Sequence, residues 1–129
     1  MTDYRIYYED TDAAGVVYYA NYLRYFERGR SEYLRQRGLS VRELQEQGYL
    51  FPVVHLEIDY KAPAVLDDLI RVETAVEEVS GATLTLRQRV LRVADGKGLV
   101  EGRVTLACLG TDGRVKRLPK ALTVLLKAV

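Results

Sequence analysis

Three carboxylates, Glu9, Asp10 and Asp12, are crowded into four residues, followed by an Ala13-Ala14-Gly15 turn and a short apolar stretch from Val16 to Tyr19. Like charges this close disfavour one another's ionisation, and apolar neighbours add desolvation, so a carboxylate here is a candidate base or nucleophile. The plain alternative is a solvated acidic turn, since Asp and Gly favour turns in any case. The residues after the turn sharpen the choice. Asn21 reads as the N-cap of a helix running to about Arg37. A helix start presents unpaired backbone N–H groups and the positive end of the helix dipole. Such a terminus can hold the oxyanion of an acyl-transfer intermediate. A carboxylate placed just upstream, across the Gly15 turn, then makes a minimal hydrolytic site without histidine, metal or cofactor. That site is weak against an amide. It suits a thioester, whose carbonyl is less resonance-stabilised and whose thiolate leaves without a proton.

Composition narrows the field in the same direction. The chain has 129 residues, room for one domain, 1–129. Nineteen basic and eighteen acidic side chains leave a net charge of +1, which argues against an electrostatic reader of nucleic acid. One cysteine excludes a disulfide framework, and one histidine leaves multi-His metal sites and Ser-His chemistry without material, so no metal is expected. The start, Met1-Thr2-Asp3-Tyr4-Arg5, lacks an apolar signal region. No apolar run approaches the roughly 18 residues that cross a bilayer. A cytoplasmic protein without a transmembrane segment is the expectation. Ten tyrosines against two phenylalanines is an unusual balance, and it suits half-buried pocket walls and subunit contacts.

The elements that must position these groups are readable from periodicity. Thr2 to Tyr8 reads as a first strand. In the helix, Leu23, Phe26, Arg30, Tyr33 and Leu34 share one face, widened by Tyr22, Tyr25 and Gly29. Gly29 costs about 1 kcal/mol relative to alanine inside a helix, which a close approach to a sheet would explain. Gly38 supplies the stop. Ser40 caps a shorter helix to Gln47. Val54, Leu56, Ile58 and Tyr60 then alternate with His55, Glu57 and Asp59, a strand with one buried face. Three longer strands come next, at Leu69 to Val79, Thr83 to Val93 and Leu99 to Leu109. Short Gly-containing turns separate them, as antiparallel neighbours require. After Pro119 there is room for a further helical turn or two. The sum is an α+β fold with one long helix on an antiparallel sheet of about five strands. One helix cannot cover both faces, so the sheet curls around it or a second copy covers the rest.

The run Tyr7-Tyr8-Glu9-Asp10-Thr11-Asp12-Ala13-Ala14-Gly15-Val16-Val17-Tyr18-Tyr19-Ala20-Asn21-Tyr22, continuing to Phe26-Glu27-Arg28, resembles the signature of the hot-dog-fold acyl-CoA thioesterases. It is most similar to the 4-hydroxybenzoyl-CoA thioesterase and YbgC-like group. Tyr60-Lys61-Ala62-Pro63, Leu66-Asp67-Asp68, Gln88-Arg89-Val90 and Leu118-Pro119 extend the resemblance over nearly the whole chain. The resemblance implies a curved antiparallel sheet wrapped around a central helix. It also implies an acyl-CoA substrate, no cofactor beyond the CoA that the substrate carries, and a homodimer or a dimer of dimers (a homotetramer).

Position by position, the resemblance makes Asp12 the carboxylate that attacks the carbonyl or activates water. It makes the Tyr19 backbone N–H the oxyanion donor, with Gly15, Val16 and Val17 beside the substrate. YbgC-like members carry histidine where this chain has Tyr19, whereas the hydroxybenzoyl branch has tyrosine, so attack by Asp12 through a mixed anhydride is the simpler mechanism. Phe51 before Pro52, in place of a small polar residue, implies a more apolar acyl pocket, and Glu27 faces the acyl group in that branch. Ser80-Gly81-Ala82 replaces a basic cluster for the CoA phosphates. Lys61, Arg87, Lys116 and Arg117 are further phosphate candidates. His55 reads as a surface residue and Cys108 as core. Two other functions fit the fold class. A non-catalytic acyl-CoA sensor or scaffold would not need Asp12, and a dehydratase would need a histidine in a different context.

Overall fold

A computed structural model describes residues 2–127 of the chain. Its elements are β1 (Thr2–Arg5), α1 (Asn21–Arg35), α2 (Val41–Glu46), β2 (Val53–Tyr60), β3 (Leu69–Ser80), β4 (Thr83–Arg92), β5 (Gly98–Ala107) and α3 (Lys120–Lys127). The five strands form one antiparallel sheet in the order β1-β3-β4-β5-β2, with α1 packed across one face. This is the hot-dog arrangement that the motifs imply. Strand β1 is shorter than Thr2 to Tyr8, because Tyr8–Asp10 turns into a single 3-10 turn. The helix stops where Gly38, at φ +87°, allows a left-handed exit. Ser40 caps α2 by accepting from the Glu43 N–H.

Period-2 alternation puts Ile70 and Val72 of β3, Leu84, Leu86 and Val90 of β4, and Val100, Val104 and Leu106 of β5 into the core. They meet Tyr22, Tyr25, Phe26 and Tyr33 of α1. Gly29 does what its position predicts. A Cβ there would lie 2.6 Å from Val72 Cγ1, so the helix backbone itself rests on the sheet. On the sheet side, Gly102 makes the matching space for the Phe26 ring. Between them sits Gln88, a buried amide with every group used. Its Nε2 donates to the Phe26 carbonyl at 2.8 Å and to Thr74 Oγ1 at 2.9 Å, and its Oε1 accepts from Arg30 at 3.0 Å.

Some details of the helix and strand faces differ from the periodicity. Asn21 is the first helical residue and not the cap; Ala20 occupies that position and makes no side-chain cap. Leu23 is 42% exposed, and Val54 and Tyr60 are also exposed, although Leu56 and Ile58 do turn inward. A bulge between Val53 and His55 shifts the register of β2 against β5, which turns Val54 out of the buried row. Cys108 is fully buried as core, and its thiol is pushed up by burial.

The outer face of the sheet is charged. Arg87 and Arg103 stand directly opposite each other on β4 and β5, a repulsive pairing taken alone. Glu77 of β3 accepts from both, at 2.7 Å from Arg87 Nε, and their hydrogen bonds hold its carboxyl below the usual carboxylate range. Arg89 pairs with Glu73 and Lys61 with Glu101 alongside.

This packing has two measurable consequences. Gly102→Ala should destabilise the protein by about 1–3 kcal/mol, since the added methyl meets the Phe26 ring; an unchanged denaturant midpoint would show that the helix can lift off at no cost. Glu77 adds stability that is complete above its unfolded value near 4.5 and is lost as pH falls through its lower folded value. Glu77→Gln should therefore lower the melting temperature at pH 7 and flatten its decline between about pH 5 and 3, and parallel wild-type and variant curves would contradict the pairing.

Candidate active site

The acidic loop is a small hairpin. Thr11 and Val17 form a bridge, the Asp12 N–H donates to the Val16 carbonyl at 2.9 Å, and the Gly15 N–H donates to the Asp12 carbonyl at 3.0 Å. Gly15 closes the turn at φ +79°, a left-handed conformation that side chains resist. The Val16–Val65 bridge and the bond from the Val17 N–H to the Ala64 carbonyl fasten the hairpin to the segment before β3. Ala64 is held in turn, its N–H donating to the buried Tyr22 hydroxyl at 3.1 Å.

The three carboxylates take separate roles and do not share one site. Asp10 is structural. Its Oδ2 accepts from the Tyr7 N–H at 2.8 Å, and its carbonyl accepts from the Tyr18 N–H and from Asn21 Nδ2, both at 3.0 Å. Asn21 thus reaches backwards to the loop and does not cap its own helix. Glu9 is exposed. Asp12 is exposed too, and its Oδ1 accepts from the Ala14 N–H at 2.8 Å in an Asx turn. That bond orients the carboxylate, and among the described residues Oδ2 has no donor. Of the three, Asp12 alone is both oriented and open to solvent; Asp10, oriented by Tyr7, is half-buried, and Glu9 accepts no hydrogen bond among the described residues.

Past the hairpin the chain turns into α1. The Asn21 N–H donates to the Tyr18 carbonyl, but the N–H groups of Tyr19 and Ala20 have no acceptor among the described residues. These are the unpaired donors expected of a helix start. No hydrogen bond among the described residues joins Asp12 to Tyr19. The hairpin register sets Asp12 opposite Val16 at the tip, while Tyr19 lies beyond the Asp10–Tyr18 bond at the other end.

Glu27 and Phe51 come together. They share a pocket of about 190 Å³ with Arg30, Leu34, Leu44 and Leu106, its walls mostly apolar. Pro52 is exposed next to it, its carbonyl accepting from the Ala107 N–H. The β3–β4 turn places Ser80, Gly81 and Ala82 away from this pocket. Gly81 lines a separate cleft with Arg117 and Lys120, but its carbonyl and that of Ala82 are taken by Leu118 and Cys108 N–H groups. Lys61 is in an ion pair with Glu101 at 3.0 Å, and Arg87 is bound to Glu77. Lys116 stacks on Tyr49, and His55 lies on the surface 3.2 Å from Glu57. No cluster of potential metal ligands occurs among the described residues, and no helix there is long and apolar enough to cross a membrane.

The five-stranded antiparallel sheet packed on one long helix is shared with solved thioesterase structures. Residues 7–127 match the thioesterase-like superfamily, and the chain belongs to that family. It is 50% identical to the acyl-CoA thioesterase YbgC of Haemophilus influenzae over 106 residues, 81% of this chain and 76% of that one. It is 38% identical to the acyl-CoA thioester hydrolase YbgC of Escherichia coli O157:H7 over 118 residues, 92% of this chain and 85% of that one. Among solved structures, a probable thioesterase from Bartonella henselae superposes with a TM-score of 0.86 at 38% identity, covering 92% of this chain and 97% of that one. A hypothetical protein from Thermus thermophilus superposes with a TM-score of 0.92 at 32% identity, covering 98% and 96%.

The hairpin is held by its turn as much as by its ladder. Gly15→Ala meets no neighbouring atom, so its effect is backbone strain of about 1–2 kcal/mol. Amide exchange at Asp12 should quicken about 5- to 30-fold and the melting temperature should fall by a few degrees; undiminished protection there would mean that the left-handed turn does not hold the loop.

Proposed function

We propose that this chain hydrolyses acyl-CoA thioesters to a free carboxylic acid and CoA, with Asp12 as the nucleophile and the Tyr19 N–H as oxyanion donor. The observation that carries the activity is its membership of the thioesterase-like superfamily, with 50% identity to an acyl-CoA thioesterase. The assignment to Asp12 is supported by the loop itself, where one carboxylate oxygen is pinned by Ala14 and the other is free among the described residues.

In the proposed reaction, Asp12 Oδ2 attacks the thioester carbonyl and the carbonyl oxygen takes up negative charge. The unpaired N–H of Tyr19 and the dipole of α1 stabilise that charge. The tetrahedral intermediate collapses, the C–S bond breaks, and the thiolate leaves with the bonding pair. Water then cleaves the mixed anhydride, returning Asp12 as carboxylate and releasing the acid. The sole histidine is on the outer face with Glu57, so no imidazole is at hand to act as base. Gly15 and Val16 flank the reacting carbonyl, while Val17, expected beside the substrate, is buried in the core and anchors the hairpin. The acyl group enters the pocket of Glu27 and Phe51, whose apolar walls suit a hydrocarbon portion. The CoA phosphates fit best at the cleft where Gly81 meets Arg117 and Lys120, whereas Lys61 is already neutralised.

The active form is proposed to be a homodimer or a dimer of dimers. Strand β2 ends the sheet with an edge unpaired among the described residues, and exposed Val53, Val54, Tyr60, Tyr18, Tyr19 and Leu23 lie on it or at the entry to α1. Apolar side chains in this number favour cover by another copy.

Thiol release from short-, medium- and long-chain and aryl-CoA substrates tests the reading. Turnover of one class should fall at least about 100-fold in Asp12→Asn, with fold and oligomer retained. A variant that keeps most of its kcat removes Asp12 from the chemistry. Binding of CoA esters without turnover of any would make the protein a sensor or scaffold.

A further inference from the structure

The Tyr60 hydroxyl donates to the Tyr19 carbonyl at 3.0 Å, across 41 residues of sequence. This bond lands on the peptide that follows the one whose N–H the proposed chemistry uses. In a trans peptide the C=O of Tyr19 and the N–H of Ala20 are antiparallel and rigidly coplanar. A donor that fixes one therefore aims the other. Among the described residues the other donor to this carbonyl is the Tyr22 N–H at 3.4 Å, too long to hold it firmly. A bond to the carbonyl also polarises the peptide and makes its N–H a better donor.

The Tyr60 ring is itself braced. It meets Tyr19 edge-on with centroids 6.2 Å apart and Tyr22 at 5.7 Å. Tyr22 is buried and bonded to Ala64, so the brace extends to the segment that anchors the acidic hairpin. Burial, and after it the neighbouring Tyr19, push the Tyr60 phenol above its ordinary value, so it stays a donor throughout the neutral range.

We infer that Tyr60 is a positioning residue, which holds the Tyr19–Ala20 peptide so that the Ala20 N–H joins the Tyr19 N–H as a second donor to the oxyanion. The inference rests on the hydrolytic reading above and adds to it a residue from the edge strand and a second backbone donor. Tyr60 touches no reacting atom. Its effect falls on the charge that develops in the transition state, so it belongs to kcat and not to ground-state binding.

The test is steady-state kinetics of Tyr60→Phe beside wild type and Asp12→Asn, on whichever CoA ester wild type turns over. The expected result is a five- to tenfold fall in kcat, about the worth of one hydrogen bond, with KM within twofold and the melting temperature and oligomer unchanged. Asp12-dependent turnover with wild-type kcat in Tyr60→Phe overturns the inference and leaves the hydrolytic reading standing, as does a rise in KM alone. Turnover that survives Asp12→Asn removes Asp12 from the chemistry and leaves this inference to the Tyr60→Phe result, whereas wild type that turns over no CoA ester overturns the hydrolytic reading and this inference with it.

Discussion

The structure depends on how closely one helix can lie on the sheet. At Gly29 the helix backbone meets Val72 with no side chain between, and at Gly102 the sheet yields the space that Phe26 fills. A single helix that must cover a five-stranded sheet gains most by lying this close, because the inward apolar side chains of β3, β4 and β5 then reach partners on it. The cost would be stranded polar groups at the contact. Gln88 removes it by serving Phe26, Thr74 and Arg30 at once. Arg30 keeps its charge deep in this contact, though burial draws its guanidinium below the ordinary value.

With the helix fixed in place, its start is fixed too, and the hairpin is built onto it. Asp10 is the joint. Its carboxylate holds Tyr7, and its carbonyl gathers Tyr18 and Asn21, so strand, loop and helix meet at one residue. The division of labour among the carboxylates rests on this joint. Asp10 is half-buried in the frame it holds, and Asp12 is left oriented and open to solvent. Such rigidity suits electrostatic catalysis, in which donors aimed before the reaction need no reorganisation during it.

Much of this is legible in the chain itself. Alternation marks the three long strands, the Gly-bearing turns mark their hairpins, and Gly29 inside a helical run points to the close contact. Asp12 stands out through a long and specific motif, and the same resemblance marks Phe51 and Glu27 as pocket lining. The misses share a cause, which is that one-dimensional patterns carry no record of what lies across space. Asn21 has the type of a cap, yet its amide is drawn backwards by the Asp10 carbonyl. Val54 obeys the strand alternation, yet a bulge turns it out. Leu23 has the helical spacing of a core residue but is exposed near the start of α1. Tyr60 reads in sequence only as an apolar position, and its hydroxyl partner is far away along the chain. Glu77 gives no signal, because the two arginines it reconciles become neighbours only through the register of β4 and β5.

The tyrosines give the molecule an optical property. Rings of Tyr18, Tyr19, Tyr60, Tyr22, Tyr25 and Tyr4 succeed one another with centroids 4.9 to 6.2 Å apart, from the helix start to the first strand. The chain contains no tryptophan, so its near-ultraviolet absorption and emission belong to tyrosine, and six of the ten chromophores are arrayed along one path. Fixed rings at such spacing couple their transitions and produce near-ultraviolet circular dichroism that vanishes when tertiary packing loosens. The spectrum of the native protein is therefore largely a spectrum of the ground between Tyr4 and the start of α1. A ligand settling beside Tyr19 would be visible without any label.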